Sequence, residues 1–459
     1  MTGGAMFCKH CGKAVKPGKS FCVHCGKPVS PEAPREVDSL QGTDTVGAPA
    51  AESGPGRESE VRGLRGRFRW WVPLAALGTL ALVVIAIVLA VVLSTNENHN
   101  KAVALVKQAK ALSARYAFDQ AVDKCNQALG LDPKYADAYI TLSRAHSGVY
   151  QYERALDDAN KALKLNPGSG ESYIRRADAY NGLHQYEKAR ADASKAISLE
   201  PGNAEAYANL ADAKGSLFQS KESLADAEKA VKLDPKSVQA YVSRSNAHDR
   251  LGERKEAMAD AEKAVGLDQG NPFAYFQRSV LNRELGQLDK ALADANKAIE
   301  LYPGYLWGYL DRANVYRDLK QPDQQYSDII RAMEISKSYP APYYWRALWL
   351  SDRQRDQEAI ADYNKSIELG EKDPGVYMGR GISYYETGDT AHALEDLNTA
   401  LGKGIAWGDE TWGYYWRGLT YIKAGQREKG IADLQKAVQL DSSNNDARQR
   451  LKELGVPGY

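Results

Sequence analysis

Residues 173–201 read YIRRADAYNGLHQYEKARADASKAISLEP. Two apolar stripes of helical period flank a break at His184 and Gln185, and a proline closes the second stripe. Small residues stand where two antiparallel helices have to approach, at Ala177, Ala189 and Ala196. The stretch therefore predicts a helix–turn–helix unit, and the unit recurs in both directions. Tyr139, Tyr173, Tyr207, Tyr241, Tyr275, Tyr309, Tyr343 and Tyr377 keep a constant interval of 34, as do Ala128, Ala162, Ala196, Ala230, Ala264 and Ala298. Pro133, Pro167, Pro201 and Pro235 follow the same interval. A period of this size denotes a stacked solenoid, in which each unit buries its apolar face only against its neighbours.

The unit resembles the tetratricopeptide repeat family, and the resemblance covers residues 102–444. Tyr173 takes the place of the family's usual tryptophan, while Tyr180, Tyr186, Ala189, Ala196 and Pro201 match its other signature positions. The resemblance implies an all-α fold, a right-handed helical solenoid of about ten repeats. From Tyr377 to Tyr414 the interval widens to 37, so an insertion is expected to lengthen one connection between repeats. Residues 445–454 have polar faces and read as a helix that caps the last repeat. Cys125 falls on the inward face of its helix and is expected to be a buried, structural thiol.

One position departs from the family. Three residues after the tyrosine, where an apolar residue is usual, stand Arg176, Arg244, Arg278, Arg312, Arg346, Arg380 and Arg417. The second helices carry an equally regular Asp158, Asp192, Asp226, Asp260, Asp294, Asp328, Asp362, Asp396 and Asp433. Antiparallel packing brings the two rows to similar heights, so a structural Arg–Asp ladder is expected rather than an arginine row open to an anionic ligand.

Function is expected on the concave face, since the family resemblance implies that ligands lie along the first helices of successive repeats. Two residues before, one after and five after each tyrosine share one helical face. Early repeats place Asp137, Ile140, Arg144, Glu171, Ile174, Asp178, Glu205, Ala208 and Asp212 there. Later repeats place Phe273, Phe276, Trp307, Asn314, Tyr344, Trp412 and Tyr415. Aromatic and arginine anchors dominate binding hot spots, and a groove of this kind suits a peptide or protein ligand. Asn246, Phe273, Phe276, Arg283, Trp307, Asn314, Arg317, Tyr344, Trp412 and Tyr415 are the candidate partner-binding residues. The alternative is that the rings pack between adjacent helices.

The first hundred residues have a different character. Residues 6–29 hold Cys8, Cys11, Cys22 and Cys25 in two C-x-x-C pairs, each followed by a glycine, Gly12 or Gly26. Four thiolates at this spacing suit tetrahedral zinc, and the segment resembles the short bacterial and archaeal zinc-ribbon family. A pair of disulfides, or ligation by His10 and His24, is the alternative reading. Residues 30–66 are rich in Pro, Gly, Glu, Ser and Ala and read as a disordered linker. From Trp70 to Leu93 the chain carries no charge, long enough for a transmembrane helix that places the protein in membrane lipid. Arg57, Arg62, Arg65, Arg67 and Arg69 precede it, whereas the next cation is Lys101. The positive-inside rule then puts the N-terminus in the cytoplasm and the repeats outside it, in the cell membrane's single-pass topology.

A formal net charge of +1 gives no bulk attraction to nucleic acid. The sequence contains no phosphate-cradling P-loop and no H-E-x-x-H pair, and its histidines are scattered, with His146, His184, His248 and His392 expected to cap turns or face solvent. The expected function is a non-enzymatic, membrane-anchored interaction scaffold with zinc as its only cofactor. A cytoplasm-facing adaptor is the main alternative, and a glycan-handling protein a more distant one.

Overall fold

The computed structural model describes residues 6–7, 14–15, 71–403 and 409–459. The chain divides into two units, Met1–Leu74 and Ala75–Tyr459. In the first, strand β1 (Met6–Phe7) pairs antiparallel with β2 (Ala14–Val15), in the register Met6↔Val15 and Phe7↔Ala14. The four cysteines expected to bind zinc, the linker and Trp70 lie outside the described residues.

Helix α1 (Trp71–Ser113) joins the apolar stretch to the first repeat without a break. Its Ala102, Val106 and Ala109 are buried against the solenoid. The C-terminal part of α1 pairs with α2 (Phe118–Leu131), and nine further pairs follow. They are α3 (Ala136–Gly148) with α4 (Tyr152–Leu165), α5 (Gly170–Gly182) with α6 (Tyr186–Leu199), and α7 (Ala204–Ser216) with α8 (Ser220–Leu233). Next come α9 (Val238–Arg250) with α10 (Arg254–Leu267), α11 (Pro272–Glu284) with α12 (Leu288–Leu301), and α13 (Leu306–Asp318) with α14 (Pro322–Ile335). The series ends with α15 (Ala341–Ser351) and α16 (Asp356–Glu368), α17 (Pro374–Thr387) and α18 (Thr390–Lys403), and α19 (Asp409–Lys423) and α20 (Arg427–Leu440). A last helix, α21 (Asn445–Glu453), buries Ala447 and Leu451 against α20. The widened interval falls between α18 and α19.

Local chemistry fixes each unit. Ser169, Asn203, Ser237 and Asn271 cap successive first helices, each side chain accepting a backbone N–H from the first turn. The turn inside each pair needs one left-handed residue, and it falls at Tyr116, Tyr150, His184, Phe218, Gly252, Gly286, Lys320, Gln354, Gly388 and Gly425. Fully buried alanines, such as Ala177, Ala189, Ala193 and Ala196, let the helices approach closely. Cys125 is fully buried, and burial pushes its thiol up to about 12.

The Arg–Asp ladder forms within each repeat. Arg176, Arg244, Arg278, Arg312, Arg346, Arg380 and Arg417 each donate from Nε and Nη2 to both oxygens of Asp192, Asp260, Asp294, Asp328, Asp362, Asp396 and Asp433, at 2.6–2.9 Å. Four of them also donate to an asparagine on the second helix of the preceding repeat, as Arg312 does to Asn296. Each such arginine therefore ties two repeats together. Repeats two and four have Leu142 and Leu210 in place of the arginine. Their aspartates turn to the residue one helical turn further on, Asp158 to His146 at 2.7 Å and Asp226 to Lys214 at 2.5 Å. His146 is buried by this pairing, which corrects the expectation that it caps a turn or faces solvent.

The solenoid also closes on itself. The Tyr302 hydroxyl donates to the Gly148 carbonyl at 2.5 Å, and the Leu306 amide donates to the Tyr150 hydroxyl at 2.9 Å. Tyr116 stacks on Tyr302 and Phe118 stands edge-on to it, Tyr150 and Tyr152 meet Tyr339, and His184 approaches Tyr339 and Glu371. The turns of repeats one to three thus sit on the connections after repeats six to eight. Burial pushes the hydroxyls of Tyr150, Tyr305 and Tyr339 well above their ordinary range, as a dry aromatic seam requires.

Candidate functional site on the inner helix face

The first helices of the pairs supply the inner face. In repeats two to four its apolar members Ile140, Ile174 and Ala208 are buried. The charged members join a network that the tyrosine spacing did not reveal, centred on Arg175. Its guanidinium bonds to Asp178 at 2.7 Å and to Glu205, and Asn209 donates to Asp178 at 2.5 Å. Gln239 continues the row by donating to Asn209 at 2.8 Å. A readable signal existed, since the residue two after each tyrosine is polar in six consecutive repeats: Thr141, Arg175, Asn209, Ser243, Gln277 and Asp311.

Burial raises the pKa of several of these carboxyls. Burial pushes Asp178 and Asp212 up to about 6, against the pull of Arg175 on the first and a Ser243 hydrogen bond on the second. Burial pushes Asp311 up to about 7, although Ser279 donates to it at 2.5 Å.

The candidate residues fall into separate groups. Phe273, Phe276 and Trp307 lie at the seam: Phe273 and Phe276 meet Tyr305 with ring centroids 5.0 and 5.5 Å away, and Trp307 meets Tyr339 at 5.9 Å. Arg283 and Arg317 share one carboxylate, Asp318, at 3.4 and 3.2 Å. Arg283 Nε and Asn314 Oδ1 are buried without a hydrogen-bond partner among the described residues. Asn246 is half-buried on the neighbouring helix α9. Tyr344 packs beside Trp345 and Tyr363. At the far end Trp412 keeps 41% of its surface exposed and stands edge-on to Tyr415, which in turn meets Trp416. Among the described residues no group of His, Cys, Asp and Glu is arranged to hold a metal ion.

Comparison with known proteins agrees with this geometry. The tetratricopeptide repeat family model matches residues 170–203, 204–237, 238–271, 274–305 and 413–444. The search of the curated proteins found no match. Among solved structures, the chain resembles the crystal structure of the APC/C hetero-tetramer Cut9–Hcn1 with a TM-score of 0.56 at 14% identity, over 77% of this chain and 76% of that one. It also matches yeast Tom70 (TM-score 0.40, 17% identity, 77% of this chain and 94% of that one) and a thermophilic tetratricopeptide repeat protein from Thermus thermophilus (TM-score 0.37, 23% identity, 40% and 99%). The five matched segments are tetratricopeptide repeats, set in an all-helical solenoid whose other helix pairs follow the same plan.

Proposed function

We propose that the chain is a membrane-anchored scaffold that binds a protein or peptide along the inner face of its later repeats. The observation that carries this reading is the state of that face between α11 and α19. It keeps an exposed indole at Trp412, the guanidinium groups of Arg283 and Arg317 on the shared carboxylate of Asp318, and buried atoms without a hydrogen-bond partner at Arg283 Nε and Asn314 Oδ1. An amide oxygen and a guanidinium N–H suit the N–H and C=O groups of a peptide backbone, and the indole suits an apolar side chain. Photocrosslinking from Trp412 and Arg317, with Lys229 on an outer helix as control, tests it. Adducts confined to the inner positions support the scaffold reading, and adducts only from Lys229 refute it.

Anchoring rests on α1. The large apolar side chains from Leu82 to Leu93 are each 48–67% exposed, and this is the one helix among the described residues long and apolar enough to cross a bilayer. The arginines before it favour a cytoplasmic N-terminus with the repeats outside. Protease added to intact spheroplasts would cut the repeats and spare the N-terminus. The opposite pattern would make the chain a cytoplasm-facing adaptor. Cys8 and Cys11 form a C-x-x-C pair, the spacing that a zinc knuckle uses. With Cys22 and Cys25 the donor set is four thiolates, which suits zinc as a structural ion. Metal analysis of the full chain should find zinc that Cys22→Ser removes.

A further inference from the structure

The geometry points to the rim formed by the first three connections between repeats, residues 132–135, 166–169 and 200–203, as a surface that rests against the outer edge of the lipid headgroup layer. This rests on the reading of α1 as a membrane anchor and adds to it a second, fixed contact with the bilayer. Between Thr79 and Ser113 the helix has neither glycine nor proline, so no hinge separates the apolar stretch from the buried Ala102, Val106 and Ala109 of the first repeat. His99 Nδ1 lies 2.7 Å from Asp132 Oδ2, and the His99 ring stands edge-on to Tyr135. The first connection is therefore level with His99, six residues beyond Leu93, or about 9 Å along a helix rising about 1.5 Å per residue. The headgroup layer extends roughly 5–8 Å beyond the hydrocarbon core on each side, so the rim starts at its outer edge and long side chains reach into it.

The opposite edge of the same repeats is unavailable, because the turns at Tyr116, Tyr150 and His184 are covered by Tyr302, Tyr339 and Glu371. The solenoid's second turn therefore stacks on the side away from the bilayer, and the rim is the free edge. Its exposed chemistry is amphipathic. Leu165 and Leu199 are 40% and 37% exposed, next to the exposed Pro167 and Pro201, while Lys134 and Lys164 supply cations. The equivalent Leu131 at the first connection is half-exposed, as are Leu233, Leu267 and Leu301 further along, whereas Leu440 in the last repeat is again open. Exposed leucines and prolines with lysines on the same edge fit a phospholipid surface better than they fit bulk water, and the exposed Glu200 beside Leu199 is the acid that the cations have to outweigh.

The test uses the full chain in vesicles of phosphatidylcholine and phosphatidylglycerol, with benzoylphenylalanine placed singly at Val88, Leu165, Leu199 or Lys320. Phospholipid adducts are read by mass spectrometry. Adducts are expected at Val88, Leu165 and Leu199 and not at Lys320, which lies in a turn of the second stack. A flexible Gly/Ser insertion between Asn96 and Glu97 should abolish the adducts at Leu165 and Leu199 and leave that at Val88. Adducts at Val88 alone in the uninterrupted chain overturn the rim and leave the anchor standing. No adduct at Val88 overturns the anchor itself, and rim adducts that survive the insertion overturn the rigid-helix argument.

Discussion

Leu142 and Leu210 stand where seven other repeats carry the ladder arginine, and the two substitutions are each matched by a cation one turn on, His146 or Lys214. The aspartate is thus the constant partner, and its buried carboxylate has to find a donor from one of two registers on the first helix. Arg278→Leu should leave Asp294, which is 6% exposed, with only the amide of Asn282, and cost about 3 kcal/mol. Adding Asn282→Lys places a cation at the register Lys214 occupies and should recover most of that loss. Thermal unfolding followed by circular dichroism measures both, and equal instability of the single and double variants would refute the two-register account. Asp311 bears on pH in the same way. Burial raises its pKa to about 7, so the folded state holds a proton that the unfolded chain, near its ordinary value of about 4, has already released. Stability from this group is present at low pH and is lost as pH rises through about 7, with Asp178 and Asp212 adding the same trend near 6. The melting temperature should therefore rise as pH falls from 8 toward about 5.5, and Asp311→Asn should flatten that rise while stabilising the protein at pH 8. Parallel profiles for the two proteins would show that Asp311 is not the group responsible.

At the scale of the element, the turn inside each repeat shows what the sequence discloses and what it withholds. The helix pairs, the caps and the ladder all recur at an interval of 34, and each can be read from one unit and its neighbour. The left-handed turn residue recurs at the same interval. Glycine takes it without strain at Gly252 and Gly286, whereas Tyr116, Tyr150 and His184 bear a cost of roughly 1 kcal/mol each. What repays them is the seam, and its partners lie 154 and 156 positions away along the chain, beyond any repeat period. Phe218 holds the fourth such position with 66% of its surface exposed, and nothing in the structure explains an aromatic there. The inner-face network was hidden for a related reason. A polar residue two after each tyrosine recurs in the unit, but the pairing of Arg175 with Glu205 runs between neighbouring first helices and is not legible from one unit alone. Tyr150→Phe tests the turn directly. It removes the acceptor for the buried Leu306 amide and should cost about 1–3 kcal/mol, with faster hydrogen exchange at Leu306. Unchanged exchange at that amide would mean that the hydroxyl does not hold the seam.

At the scale of the whole solenoid, the seam changes how stability is shared. An ordinary repeat array is a sum of units and nearest-neighbour interfaces, free to fray from either end. Here repeats one to three are tied to the connections after repeats six to eight, so loss of an early repeat also uncovers a late one. The same closure narrows the approach to the inner face near Phe273, Phe276 and Trp307, whose rings meet Tyr305 and Tyr339. It leaves the face around Trp412 open, which is where the scaffold reading places its ligand. Replacing Tyr302 and Tyr339 by alanine removes the two rings that bridge the turns, together with their local contacts to Tyr305 and Trp307. Each loss of a buried ring should cost about 3 kcal/mol or more, shared between the seam and the local packing of Tyr302 and Tyr339. The double variant should keep its helix content, expand in small-angle scattering and unfold in a broader transition than the parent. A variant as compact as the parent would mean that stacking of neighbouring repeats alone sets the curvature and that the seam merely follows it.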